Sequence, residues 1–343
     1  MKRALVIQTA FLGDVILSLP VVQVLKRSFP ESQVDFLSIP DTSGVLKSHP
    51  DISRVIVYDK HGKDRYFKAL RRLRAELKGN EYDVVICPHR SLRSAFLARG
   101  TGAVVRVGFD RSAWKGGFTH VKPWRFGVHE VERNLSLLDP LGITPAREEP
   151  RLYPDEEDAT VADRFLSIRG VNTPYAVVAP GTVWETKRYP VELMREVVVN
   201  LLSKFDKVVI IGGKKDLDVA SGIAAADPRI VSAVGGLSFM VSAEVVRRAS
   251  LLIANDSAPI HVASAFDIPT VAIFGPTVKE FGFYPYHKNS VVVEENGLRC
   301  RPCSIHGGRH CPIATFECMR KISPERVVKE GLIISGVSDR MEN

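Results

Sequence analysis

Short runs of Val, Ile, Leu and Ala alternate along the chain with longer stretches in which apolar residues recur at helical spacing. Continuous apolar runs are typical of strands buried on both faces of a parallel sheet, which helices then cover. In the first half the pattern predicts strands at 4–8, 34–38, 55–58, 83–87 and 104–108. It predicts helices over 15–28, 65–78 and 129–141, and Gly142 ends the last of these.

A stretch with three prolines and mixed charge, 144–158, predicts the connection between two domains. A second series follows, with strands at 175–179, 208–212, 230–234, 251–254 and 270–274, and helices over 191–205, 217–225 and 239–249. The expected fold class is α/β, with two Rossmann-like domains whose parallel sheets face a central cleft. We place the domains at 1–155 and 156–343 and leave it open that the last helix packs back on the first domain.

Composition narrows the class of protein. A chain of 343 residues is long enough for two domains of about 150 residues each. The 47 Lys and Arg against 39 Asp and Glu give a net charge of +8, which favours an anionic partner. No stretch approaches the roughly 18 apolar residues of a membrane span, and polar residues interrupt the start, so we expect a cytoplasmic protein. No Gly-x-Gly-x-x-Gly follows the first strand, which disfavours a nicotinamide dehydrogenase.

Two turns that carry an aspartate come directly after predicted strands, where ligands bind in an open α/β sheet. The first turn contains Gly13 and Asp14. Asp is a preferred N-cap, so a structural role for Asp14 competes with a catalytic one. Pro20 favours a helix that begins at Ser18, which would place Asp14 on a loop.

The second turn, 255–261, contains Asp256, small residues and then Pro259, which suits the first turn of a helix. Exposed N–H groups at such a helix start bind phosphate, although capping by Asp256 and simple packing of His261 are the alternatives. The loop 182–187 follows another strand and ends in Lys187, next to Arg188. This pair could neutralise a diphosphate, but a solvated Lys-Arg pair is the commoner meaning.

These motifs together resemble the lipopolysaccharide heptosyltransferases, and most closely heptosyltransferase II. The resemblance rests on 11–20, 129–134, 186–190, 255–263 and 274–277, which span most of the chain. It implies a GT-B glycosyltransferase that moves heptose from ADP-heptose to the inner core of lipopolysaccharide, inverts the anomeric centre and requires no cofactor. It also implies a Kdo-lipid A or heptosyl-Kdo-lipid A acceptor, peripheral contact with the inner face of the inner membrane, and no nucleic-acid partner.

The resemblance assigns residues as well. Asp14 matches the family's proposed general base, and Lys187 matches the lysine near the donor phosphates. The residues that match donor-binding positions are Thr182, Lys187, Leu237, Asp256, Ser257, Ala258 and His261. In this family the first domain takes the anionic acceptor, for which we select Gly13, Lys60, Lys63 and Arg65. Val183 and Lys214 depart from positions that contact the nucleotide in some members.

A group of cysteines near the end of the chain reads Cys-x2-Cys-x7-Cys-x6-Cys, formed by Cys300, Cys303, Cys311 and Cys318. Four thiolates can close a tetrahedral zinc site. Reduced thiols, or a disulfide formed after isolation, are the alternatives in a cytosolic enzyme. We expect no bound metal.

Other functions compete with the inner-core transferase of the heptosyltransferase II type. Heptosyltransferase I or another family 9 transferase would share the motifs. A nucleotide-sugar epimerase of the same architecture would bind a similar donor without a second-sugar acceptor, and a catalytically silent module would bind the nucleotide sugar alone. The turn at Asp14 and the basic run 60–74 favour the transferase over the epimerase, and the presence of both Asp14 and Lys187 argues against the silent module.

Overall fold

The computed structural model describes residues 1–60, 62, 64 and 66–337. The chain divides into two compact units, Met1–Tyr153 and Pro154–Asn343. Each unit contains a six-stranded sheet in which every pair of neighbouring strands runs parallel. The predicted α/β class is therefore confirmed.

The sheet of the first unit has the order β3-β2-β1-β4-β5-β6. Its strands are β1 (Arg3–Ile7), β2 (Gln33–Ser38), β3 (Arg54–Val57), β4 (Val84–Cys87), β5 (Val105–Phe109) and β6 (His120–Lys122). All but the last match predicted strands to within a residue at each end, and β6 was missed because His-Val-Lys contains a single apolar residue.

The sheet of the second unit has the order β12-β11-β10-β7-β8-β9. Its strands are β7 (Ala176–Ala179), β8 (Val208–Ile210), β9 (Ile230–Ser232), β10 (Leu251–Asn255), β11 (Thr270–Phe274) and β12 (Ser290–Glu294). Counted from the start of each unit, both sheets have the strand order 3-2-1-4-5-6 of a doubly wound fold.

Helices connect successive strands and shield the sheets. In the first unit they are α1 (Leu12–Ile16), α2 (Leu19–Ser28), α3 (Pro40–Ser43), α4 (Phe67–Gly79), α5 (Leu92–Gly100) and α6 (Glu130–Leu135). In the second they are α7 (Glu156–Ile168), α8 (Val191–Leu201), α9 (Leu217–Ala224), α10 (Phe239–Arg247), α11 (Pro259–Phe266), α12 (Glu317–Arg320) and α13 (Pro324–Ser335). The last of these packs on α8 and on strands β10, β11 and β12 of its own unit.

Three predicted segments differ from the structure, each for an identifiable reason. The predicted helix 15–28 is two helices, because Pro20 lies in the first turn of α2 and the chain turns at Leu17 and Ser18. The predicted connection 144–158 already contains the start of α7, since Asp155 forms a capping box with Asp158. The stretch 129–141 is α6 followed by a 3-10 helix, and Gly142 ends it at φ 72° as predicted.

The core of each unit consists of the central strands and the helix faces that cover them. Strands β1, β4, β7 and β10 are buried or nearly so along their length. Among the described residues, no helix is long and apolar enough to cross a membrane. The buried central strands hold the loops at their carboxyl ends on a rigid support.

Candidate active site

The candidate residues lie at the point where each sheet changes winding direction. In the first unit this point is between β1 and β4, and the loops that follow these strands carry Asp14 and His89. In the second it is between β7 and β10, and the loops that follow carry Lys187 and Asp256. Ligands bind at such positions because adjacent loops diverge there and leave a crevice.

Asp14 is neither on a loop nor an N-cap. It is the third residue of α1, whose N-cap is Phe11 and whose start has no side-chain cap. The sequence expectation of a loop failed because the chain forms one additional short helix between β1 and the turn at Ser18. The Asp14 side chain is partly exposed, so it remains accessible to a ligand.

The environment of Asp14 favours its neutral form. Burial by surrounding protein atoms and then the nearby carboxylate of Glu130 raise the pKa of Asp14 to about 7, against smaller opposing contributions that include Arg90. Glu130 is itself ion-paired with the buried Arg133 at 2.6 Å. Asp14 therefore exchanges its proton near neutral pH.

Basic and polar side chains surround the same edge of the first sheet. The Lys60 ammonium donates a hydrogen bond to the Thr9 carbonyl at 2.6 Å. His89 Nδ1 lies 2.8 Å from the hydroxyl oxygens of both Thr9 and Ser94, and burial together with nearby Lys60 lowers the pKa of His89 to about 4. Lys60 thus lies beside the loop that follows β1.

Sequence reasoning missed a group of arginines at this edge. The guanidinium groups of Arg90, Arg111 and Arg133 lie 5.0, 4.7 and 4.4 Å from the ring centre of Trp124. Arg90 and Arg111 follow β4 and β5, so the strand-end rule that selected Asp14 would have found them. Of the other acceptor candidates, Gly13 lies in α1. Lys63 and Arg65 fall outside the described residues.

In the second unit the structure brings Lys187 and Asp256 into direct contact. The Lys187 ammonium lies 2.6 Å from Asp256 Oδ2, and both side chains are largely buried, with 13% and 6% exposed. The hydroxyl of Thr277 donates a hydrogen bond to the same oxygen at 2.6 Å. Asp256 therefore does not cap α11, whose N-cap is Ala258, but fixes the lysine.

Asn255 was not selected from the sequence, although it connects the two loops of this site. Its side-chain amide donates to the carbonyl of Pro180 at 2.8 Å, and its side-chain oxygen accepts from the backbone N–H of Tyr189 at 3.1 Å. Asn255 is fully buried. One side chain at the end of β10 thus fixes both ends of the loop that carries Lys187.

His261 lies in the first turn of α11 and is buried. Burial and then the charge of Lys187 lower the pKa of His261 to about 3, so the ring is neutral at physiological pH. Its Nδ1 atom is buried without a hydrogen-bond partner among the described residues. A buried polar atom of this kind is ready to accept or donate a hydrogen bond to a ligand.

The remaining donor candidates line the same edge. Ser257 and Ala258 are partly exposed at the start of α11, where Pro259 occupies the first turn as predicted. Thr182 follows β7, and its hydroxyl donates to the Trp184 carbonyl at 2.6 Å. Leu237 is partly exposed between β9 and α10.

Two sequence neighbours of these candidates, Arg188 and Val183, have different environments. Arg188 forms an ion pair with Glu185 at 2.7 Å, and Val183 is exposed. The basic pair that the sequence offered for a diphosphate is therefore reduced to Lys187.

The cysteines near the end of the chain are all free thiols in the structure. Cys318 is buried in the core cluster of the second unit, whereas Cys303 is exposed. Among the described residues, no group of three or more His, Cys, Asp or Glu side chains is arranged to hold a metal ion.

A family model, a curated relative and two solved structures all link this chain to the heptosyltransferases. A family model described as glycosyltransferase family 9 (heptosyltransferase) matches residues 70–310. Lipopolysaccharide heptosyltransferase 3 of Escherichia coli K12 is 30% identical over 81% of this chain and 84% of that protein. A family 9 glycosyltransferase structure from Veillonella parvula superposes with a TM-score of 0.87 at 25% identity, covering 97% of each chain. The structure of E. coli ADP-heptose LPS heptosyltransferase II gives 0.79 at 21% identity, covering 99% of this chain and all of that one.

Thermal stability will test whether Asp14 supports the fold. Its pKa in the folded protein, about 7, lies above the reference value of 3.8, so the ionised carboxylate destabilises the fold above pH 7. We expect Asp14→Asn to melt at the same temperature as the unmodified protein or higher at pH 8. Any gain in Tm should shrink as the pH is lowered from 7 to 4. It should vanish below pH 4, where Asp14 is protonated in both the folded and the unfolded protein. Calorimetry across this range measures it, and a Tm several degrees lower at pH 8 would instead indicate a structural role.

Proposed function

The chain belongs to glycosyltransferase family 9, the heptosyltransferases, and we propose that it transfers L-glycero-D-manno-heptose from ADP-heptose to the inner core of lipopolysaccharide. It is a glycosyltransferase whose two parallel-sheet units have the GT-B architecture. The observation that carries the proposal is Asp14, a partly exposed residue on the helix that follows β1, whose carboxyl group has a pKa of about 7. A general base works best when its pKa lies near the operating pH.

In the proposed reaction a hydroxyl oxygen of the acceptor attacks the anomeric carbon of the heptose. Asp14 accepts the hydroxyl proton as the new C–O bond forms, and the bond from the anomeric carbon to the β-phosphate oxygen breaks. The electron pair of that bond leaves on ADP. A single displacement from the opposite side inverts the anomeric centre.

The leaving ADP requires positive charge near its β-phosphate. The Lys187 ammonium and the N-terminus of α11, with the backbone of Ser257 and Ala258, supply it. His261 offers a neutral ring nitrogen to the donor. Thr182 and Leu237 complete the proposed nucleotide-sugar site in the second unit. Because these groups stabilise the leaving phosphate, the reaction needs no metal or other cofactor.

The first unit is proposed to bind the acceptor, a Kdo-containing lipid A with anionic carboxylates and phosphates. Lys60 and the newly identified Arg90 and Arg111 provide positive charge at the edge that carries Asp14. Phe11 and Leu92 are exposed large apolar residues that follow β1 and β4. Together with the net charge of +8, they support peripheral contact of this cytoplasmic enzyme with an anionic membrane surface.

The acceptor sugar distinguishes the members of the family. We propose the heptosyltransferase II type, which would accept heptosyl-Kdo-lipid A rather than Kdo-lipid A. Incubation of the protein with ADP-heptose and each acceptor in turn, with the mass of the acceptor as readout, tests this. A heptose added only to Kdo-lipid A would assign the heptosyltransferase I type, and release of ADP with neither acceptor altered would contradict the transfer proposal.

Asp14→Asn should abolish transfer while ADP-heptose binding persists. Asparagine is nearly isosteric with aspartate but has no basic oxygen, so we expect turnover to fall at least about a hundredfold. For the unmodified enzyme, kcat/KM should fall tenfold per pH unit below about pH 7, where Asp14 becomes protonated. Stopped assays from pH 5 to pH 9, with calorimetric binding of ADP as the control, measure both. Near-normal transfer by the variant would remove Asp14 from the role of base.

Lys187→Ala should weaken donor binding and slow turnover together, because the ammonium contacts phosphate both before and during bond cleavage. Loss of one charge-assisted contact costs about 2 kcal/mol, which corresponds to about thirtyfold in kcat/KM. Lys329→Ala, an exposed lysine on α13, is the charge-matched control and should leave the kinetics unchanged. Equal kinetics for the two variants would reject the role of Lys187.

A further inference from the structure

The stretch 301–308, within the cysteine-rich part of the chain, lies against both loops that carry the Lys187–Asp256 pair. It follows β12 and is distant in sequence from both residues. The function proposed above leaves it unused. One set of its contacts nevertheless leads to Asp256 and another leads to Lys187.

The first set of contacts reaches Asp256 through the turn after β11. The guanidinium of Arg301 donates a hydrogen bond to the Thr277 carbonyl at 2.6 Å, and the backbone N–H of Cys303 donates to the Pro276 carbonyl at 3.0 Å. The side chain of Thr277 in turn donates to Asp256 Oδ2 at 2.6 Å. The stretch therefore fixes the turn that holds Asp256 in place.

The second set of contacts reaches Lys187 directly. Gly308 exchanges two hydrogen bonds with Thr186: its N–H donates to the Thr186 hydroxyl at 2.7 Å, and its carbonyl accepts from the Thr186 N–H at 3.0 Å. Gly307 packs on the stem of Lys187. A Cβ atom added to Gly307 would lie 3.1 Å from Lys187 Cγ and 3.2 Å from Trp184 Cβ, closer than nearly all real Cβ contacts.

We propose that residues 301–308 form a clasp that holds the Lys187 side chain in position for the donor diphosphate, with Thr186 and Gly307 as positioning residues. The clasp rests on the proposed function of Lys187 and adds a role for a distant part of the chain. It closes a ring of contacts that runs from Lys187 through Asp256 and Thr277 to the clasp and back through Thr186.

The physical basis is the flexibility of lysine. Its four-carbon stem has several rotatable bonds, and ordering them on ligand binding reduces affinity. A stem already packed against Gly307 loses less freedom when the diphosphate arrives. Gly307 must lack a side chain for this purpose, and its φ of +85° also favours glycine.

Gly307→Ala is the direct test, and the chain offers a matched control in Gly297→Ala. Both glycines have similar backbone angles, φ +85° and +82°, so alanine introduces similar backbone strain at each. A Cβ at Gly297 meets nothing within 4 Å, whereas one at Gly307 meets Lys187. We expect Gly307→Ala to lower kcat/KM for ADP-heptose about tenfold relative to Gly297→Ala. Equal kinetics for the two variants would overturn the clasp.

Thr186 provides a second test that does not depend on glycine. Thr186→Val removes the acceptor for the Gly308 N–H at nearly constant volume, while Thr186→Ser keeps it. We expect Thr186→Val to weaken ADP binding and slow transfer about tenfold, and Thr186→Ser to restore most of both. If Gly307→Ala fails to fold, this pair decides, and equal loss in the valine and serine variants would contradict the proposal.

A double-mutant cycle separates this proposal from that for Lys187. If the clasp acts through Lys187, Thr186→Val should add little further loss in a Lys187→Ala background. Unchanged kinetics for Lys187→Ala alone would reject the proposed function of the lysine. A loss in Lys187→Ala to which Thr186→Val adds its full effect would keep that function and reject the clasp.

Discussion

In each unit the first and fourth strands lie side by side and run parallel. This pairing determines where the candidate site residues of that unit lie. Residues Ala4–Val6 of β1 pair with Val84–Ile86 of β4, and Leu251–Ala254 of β10 pair with Ala176–Ala179 of β7. Helices leave these two neighbours in opposite directions around the sheet, so the loops at their ends separate. Asp14, His89, Lys187 and Asp256 all follow these four strands.

The candidate charged groups of the two units have opposite surroundings. In the first, burial and Glu130 leave Asp14 without a compensating partner of equal strength, and its pKa rises to about 7. In the second, Lys187 and Asp256 form an ion pair at 2.6 Å, so the two opposite charges offset each other. The proposed chemistry uses both arrangements, because a general base must take up a proton near neutral pH and a positioned lysine can stabilise the departing phosphate.

The ion pair of the second unit is held by parts of the chain that lie far apart in sequence. Asn255 fixes the loop after β7 on both sides, Thr277 fixes Asp256, and the clasp contacts the loop through Thr186. Each contact is a hydrogen bond to buried or partly buried groups, which cost stability when left unpaired. The site is therefore a property of the assembled second unit rather than of any single motif.

The α/β class, nearly all the central strands and the segments that carry Asp14, Lys187 and Asp256 could be predicted from the order of the amino acids. Continuous apolar runs and turn residues are local signals, and the rule that ligands bind at strand ends needs no distances. The three-dimensional arrangement was needed to show that Asp14 lies within α1, that Asp256 binds Lys187 instead of capping α11, and that Asn255, Thr277 and Gly307 support that pair. It also shows that Cys318 is buried in the core cluster of the second unit. The reason is that a hydrogen bond, an ion pair or a shifted pKa depends on which distant segments approach within a few ångströms, and residue spacing along the chain does not contain that distance.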